Sequence, residues 1–131
     1  MKTPVRIILA SLIGIFAFAA CGEASRIEEG DTFNLSGDAH TFTIHTNAPI
    51  GMMGTFDYTY DENDIPQLVR PCSSNSLQCC VGEWYSVTRQ EDSYSMTIEV
   101  EENTSGHERR FSVDFNCGRV DCFATVIQAA K

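Results

Sequence analysis

The chain has 131 residues, with 18 Asp and Glu against 9 Lys and Arg, a net charge of −9. That excess of negative charge repels phosphate backbones and excludes nucleic acid as a partner. The length suits one domain, and six cysteines with 43% hydrophobic residues suit a folded, exported one.

The opening "MKTPVRIILASLIGIFAFAACGE" places Lys2 and Arg6 ahead of an apolar run from Ile7 to Ala20. This is the layout of a secretory signal peptide over residues 1–20. The run falls short of the ~20 residues that a spanning helix needs, so removal is expected rather than retention. Two cleavage sites compete. Ala17-Phe18-Ala19 fits an ordinary small-x-small site. "FAAC" resembles a bacterial lipobox, with Phe18 where Leu is usual, and the resemblance implies that Cys21 becomes a lipidated N-terminus. We favour the lipobox, because a cysteine directly after the small-residue end of an apolar run has little other reason to be there. A diacylglyceryl thioether with an N-acyl chain such as palmitate exceeds the two-chain requirement for stable anchoring. Processing there leaves 131 minus 20, or 111, residues and a charge of 7 minus 18, or −11.

"GEASRIEEGD" is polar, acidic and aperiodic, and reads as part of a flexible tether over residues 21–31. Its acidity resembles the export signals of surface lipoproteins in Bacteroidetes-type bacteria. A lipid-anchored outer-membrane location, extending to the cell surface, is the expectation.

From residue 32 to 131 the pattern is β throughout. "HTFTIHT" sets Phe42 and Ile44 against Thr41, Thr43 and His45, and "GTFDYTY" puts Phe56, Tyr58 and Tyr60 on one face. "SYSMTIEV" alternates Tyr94, Met96, Ile98 and Val100 with Ser93, Ser95, Thr97 and Glu99, and "RRFSVDF" repeats the period with Phe111, Val113 and Phe115. With "TFNLS", "EWYSVTR" and "CFATVIQ" these make about seven short strands, separated by Asn, Asp, Gly and Ser clusters. An antiparallel β-sandwich is the expected fold, least regular between Ala48 and Val81. "DENDIP" gathers Asp61, Glu62, Asn63 and Asp64, oxygen donors suited to calcium, but without the loop spacing of a calcium site it reads as a solvated turn.

The cysteines read as staples. In "PCSSNSLQCC", the adjacent Cys79 and Cys80 point to opposite faces of a strand and cannot share a partner. Cys72 closes a small loop with either one, or one of the three bridges to Cys117 or Cys122. In "NCGRVDC", a four-residue turn over 118–121 would set Cys117 opposite Cys122, Phe115 opposite Ala124 and Val113 opposite Val126, and so permit a hairpin disulfide. The cysteine spacings match neither zinc-ligand pairs nor Cys-x-x-C, and His40, His45 and His107 form no cluster in sequence. No metal or cofactor is implied.

No Gly-x-Ser-x-Gly or phosphate loop is present and no strand places a carboxylate pair on an apolar face, so no enzyme is read. The candidate ligand contacts are aromatic: Trp84, Tyr85, Tyr58 and Tyr60. Alternation in a strand would set Tyr85 outward if Trp84 fills the core.

"EWYSVTRQEDSYSMTIEVEENTSGHERRFSVDF" followed by "CFATVIQAAK" resembles the BACON family, from its Trp-led strand at Trp84 to the terminal strand closing on "VIQAAK". The likeness covers residues 83–131, while the Cys-rich stretch from Ala48 to Cys80 departs from it. It implies an immunoglobulin-like sandwich acting as a non-catalytic binding or adhesion module for glycan or mucin. The alternative is a structural or accessory subunit of an outer-membrane protein complex.

Overall fold

The computed structural model describes residues 24–131 apart from 61, 62, 64, 77 and 78, and describes 59, 60, 66 and 69–76 by their backbone alone. The expected signal peptide and Cys21, together with Asp61, Glu62 and Asp64 of the expected acidic turn, therefore lie outside the described residues.

Among the described residues nine strands form in chain order: β1 Thr32–Leu35, β2 His40–His45, β3 Ile50–Tyr60, β4 Pro66–Ser76, β5 Cys79–Val81, β6 Tyr85–Arg89, β7 Ser95–Val100, β8 Arg109–Cys117 and β9 Val120–Gln128. They make an immunoglobulin-like sandwich of a five-stranded sheet, β1-β9-β8-β3-β4, and a four-stranded sheet, β2-β7-β6-β5. Only β1 runs parallel to its neighbour, pairing Thr32 with Thr125 through Leu35 with Gln128, and the remaining pairs are antiparallel. The irregular stretch between Ala48 and Val81 holds three of the nine strands. Register shifts at Met53, Thr55 and Asp57 in the β3–β4 pairing hide its period from the sequence.

The inward rows follow the alternation. Ile44, Met53, Val87, Met96, Ile98, Phe111, Val113, Ala124 and Val126 are fully buried between the sheets. Phe42 packs against Phe33 of β1 at 5.3 Å between ring centroids, which closes one side of the sandwich. Tyr94 breaks the predicted row: it is exposed, because β7 begins only at Ser95 and Ser93 turns the chain with φ 65°.

One pole of the sandwich is closed by buried polar side chains. Gln128 donates from Nε2 to the carbonyls of Asp38 at 3.0 Å and Glu101 at 2.9 Å, and accepts at Oε1 from Arg109 Nε at 2.8 Å. Asn103 donates to the carbonyls of His107 and Ala129 and accepts from Ser105, holding the β7–β8 turn, in which Gly106 takes φ 84°. Carbonyls buried at strand ends need such donors, which explains two polar residues in an interior position. Arg109 reaches Glu101 and Glu102 through their main-chain carbonyls, and lies 4.2 Å over the Trp84 ring.

At the other pole the segment from Ala24 to Gly30, expected to be part of the tether, is docked on the sandwich. Ile27 is buried and bridges Thr46. Around it Glu28 N–H donates to the His45 carbonyl at 2.7 Å, and Asn47 Nδ2 donates to the Ala24 carbonyl at 2.9 Å. Glu29 accepts from the His45 backbone N–H at 2.7 Å and pairs with its Nδ1 at 2.5 Å. The sequence signal for this strap was one apolar residue among charged ones, too short to show a period.

Candidate functional site

The predicted site residues Trp84, Tyr85 and Tyr58 do not form one exposed surface. Trp84 and Tyr85 are both buried, at 7% and 3% exposure. Tyr85 stacks on Phe111 with centroids 3.8 Å apart and planes 4° from parallel, and Trp84 meets both rings edge-on. The alternation that would have exposed Tyr85 does not apply, because β6 starts at Tyr85 and Trp84 lies in the bend before it. Gly82 permits this packing: a Cβ there would come within 2.4 Å of the Tyr85 ring. Of the two other tyrosines, Tyr58 is half-buried on the outer face of the five-stranded sheet, and the Tyr60 side chain lies outside the described residues.

Beneath Tyr85 sits a buried polar group that the strand pattern did not reveal. The Tyr85 hydroxyl donates to Thr55 Oγ1 at 3.1 Å, beside Asp57, whose Oδ1 has no hydrogen-bond partner among the described residues. Burial pushes the Asp57 carboxyl above its usual value, a hydrogen bond with Tyr85 works against that rise, and the charge of Glu83 adds to it. Burial likewise raises the Tyr85 hydroxyl.

The cysteines divide by sheet face. Cys80 is buried and disulfide-bonded, while Cys79, on the other face of β5, is half-exposed and remains a thiol. The Cys72 side chain lies outside the described residues. A hairpin disulfide between Cys117 and Cys122 is not formed, and the predicted register is wrong by two residues. The turn is only Gly118-Arg119, with Gly118 at φ 64°, so Cys117 pairs with Val120 and Cys122 with Phe115. The two cysteines are diagonal neighbours and both are thiols. Burial and the adjacent Cys117 thiol push Cys122 up to about 11.

The outer face of the five-stranded sheet is open to solvent. Strand pairing lays Leu68, Tyr58, Arg110 and Ile127 in one row, Phe56, Ser112 and Thr125 in the next, and Asp114 with Phe123 in a third. Phe123 is 52% exposed, and Met52 and Leu68 are also exposed. A hollow of about 220 Å³ is lined by Met52, Asp114, Phe115, Asn116, Asp121 and Phe123. Asn116 Nδ2 donates to Asp121 Oδ1 at 2.9 Å, which fixes the polar rim opposite the phenyl ring. An open ring beside carboxylate and amide oxygens can stack on an apolar ligand face and accept from its hydroxyls. Phe123 was missed in the sequence because it sits out of phase with the inward residues Ala124 and Val126 of a strand read as closing the core.

The four-stranded sheet carries a larger hollow, about 410 Å³, bordered by His40, Thr41, Val81, Ser86 and Glu99. Its outer face is a hydroxyl surface, with Thr43 and Thr97 3.3 Å apart, and Tyr85 is buried at its wall. It offers hydrogen bonds, and among the described residues lining the hollow no Phe, Tyr or Trp ring is exposed. Among the described residues no group of three or more His, Cys, Asp or Glu side chains is placed to hold a metal ion.

No family model matches the chain, and no curated protein matches it. Among solved structures, an NMR structure of a protein from Bacteroides thetaiotaomicron aligns with a TM-score of 0.58 at 11% identity, covering 84% of this chain and 90% of that one. The likeness at that identity is one of fold.

Proposed function

We propose that the chain is an exported lipoprotein, anchored at the outer membrane through Cys21, whose BACON-like sandwich binds glycan or mucin without catalysis. The binding surface is the outer face of the five-stranded sheet. The observation that carries this reading is the exposed Phe123 ring beside Asp114, Asn116 and Asp121, with Tyr58 on the same face. A pyranose offers a C–H face for the ring and hydroxyls for the oxygens, and a pre-formed sheet loses little freedom on binding it.

Affinity electrophoresis on mucin, with the wild type, Phe123→Ala and Tyr58→Ala, tests the reading. Loss of the exposed ring is expected to weaken retention by about tenfold, the ~1.4 kcal/mol of one stacking contact. Absence of retention on any glycan, or unchanged retention in both variants, would overturn it.

A second reading, an accessory subunit of an outer-membrane complex, draws on Met52 and Leu68, aliphatic side chains exposed on that same face. It predicts co-purification with a membrane protein and no glycan affinity.

A further inference from the structure

The two poles of the sandwich differ, and the chain enters at one of them. Ala24, Ser25 and Arg26 lie against Asn47, Ala48 and the β8–β9 turn. Asn47 holds the Ala24 carbonyl and the Arg26 N–H, and a Cβ on Gly118 would sit 3.1 Å from Ser25 Oγ and 3.2 Å from Ala48 Cβ. The same pole holds the β6–β7 turn, because Ile50 N–H donates to the Ser93 carbonyl and Thr46 N–H to that of Tyr94. Between Cys21 and Ala24 there are three Cα steps, at most ~11 Å of chain.

We infer that this pole, made of residues 24–27, 46–49, 90–94 and 118–120, is a lipid-facing surface that the anchor holds against the bilayer headgroups. The inference rests on lipidation at Cys21. A tether this short cannot let the domain turn end over end, because the strap of residues 24–30 is bonded down rather than free. The side chains suit an interface. Tyr94 and Val120 are each 45% exposed there, and Arg119 sits beside Val120 at the hairpin tip. A tyrosine ring with its hydroxyl matches the mixed polarity of headgroups. Glu28, Glu29, Glu91, Asp92 and Asp121 also lie at this pole. The opposite pole carries Asp38, Glu83, Glu101, Glu102 and Glu108 against Arg109, Arg110 and Lys131, with Asp38 and Glu102 both paired to Lys131, so net charge does not separate the two ends.

The orientation has a consequence for the proposed binding face. β8 runs nine residues from pole to pole, about 30 Å, so the sheet stands along the membrane normal. Phe123 then lies near the bilayer and Tyr58 away from it, and an extended ligand is met edge-on.

The test uses the lipidated protein in vesicles of phosphatidylethanolamine and phosphatidylglycerol bearing acceptor dye on their headgroups. A donor is attached through a non-natural amino acid at position 119 or 104, which spares the cysteines. Transfer from 119 is expected to exceed transfer from 104 by about threefold, given the ~30 Å that separate the poles. A flexible Gly/Ser insert of about 12 residues between Glu23 and Ala24 should remove the difference. Equal transfer from both positions without the insert, in protein whose N-terminal peptide carries the lipid mass, overturns the orientation and leaves the anchor standing. An N-terminal peptide without lipid overturns both.

Discussion

Asp57 is the residue whose chemistry is most out of keeping with its place, a carboxyl buried on the inner face of β3 under Tyr85 and Phe111. Because its folded pKa is raised above the unfolded value, the unfolded chain gives up this proton first as pH rises. The resulting destabilisation is absent below the carboxyl's ordinary value of 3.8 and complete once pH exceeds the folded pKa. Asp57→Asn is therefore expected to melt a few degrees higher than the wild type at pH 7, with the gap closing as pH falls toward 4. Thermal unfolding of both proteins across that range measures it. Cys122 shows the same physics in a thiol. With its pKa pushed up to about 11 by burial and by Cys117, little thiolate exists near neutrality. Alkylation at pH 8 is expected to run on the order of 100-fold more slowly than for a free cysteine of pKa ~8.5, a rate read by mass spectrometry on the 117–122 peptide. Neither environment was legible in the sequence. Asp57 stands between Phe56 and Tyr58 on a strand whose aromatic face points outward, so the polar residue takes the inward side. Periodicity assigns faces, and it does not say which face meets the other sheet.

At the scale of elements, the strap over residues 24–30 behaves as part of the domain. Removing residues up to Glu23 is expected to leave stability unchanged, whereas removing them up to Gly30 deletes the buried Ile27 and the bonds to His45, Thr46 and Asn47. Burial of one such side chain contributes about 1.5–3 kcal/mol, so the shorter chain should unfold at visibly lower urea concentration. Coincident unfolding curves for the two truncations would show that the strap is merely resting on the surface. The second half of the chain was the more legible. From "SMTIEV" to "CFATVIQ" the strands alternate without interruption, and the turn residues Asn103 to Gly106 fall where the chain turns. The register of β8 with β9 was not legible, because "CGRVDC" accommodates a turn of two residues as readily as four. The left-handed φ of Gly118, and the packing of Phe115 opposite Cys122, select the shorter one.

For the whole molecule, the closing contact is between the first and last strands of the described residues, since β1 pairs in parallel with β9, Thr32 beside Thr125. That contact forms only after nearly the entire domain has been brought together, and loop-closure entropy has to be met before it contributes. Refolding from urea is expected in milliseconds to seconds, as for other sandwiches dominated by non-local pairing, and stopped-flow Trp84 fluorescence reports it. Relaxation in microseconds would contradict a fold that depends on joining its ends. The same closure brings Gln128, Arg109 and Trp84 together at one pole and the strap to the other, which is how a single sandwich acquires two unlike ends.

By itself the sequence determined the class of fold, the inward rows of β2, β7, β8 and β9, and the opposite placement of Cys79 and Cys80. These follow from the two-residue period of a strand, a local property of the chain. Only the tertiary structure decided that Trp84 and Tyr85 pack together in the core, that Cys117 and Cys122 sit diagonally, and that Phe123 faces solvent beside Asp114. Those outcomes depend on register and on which sheet face is covered, both set by contacts between residues far apart in the chain.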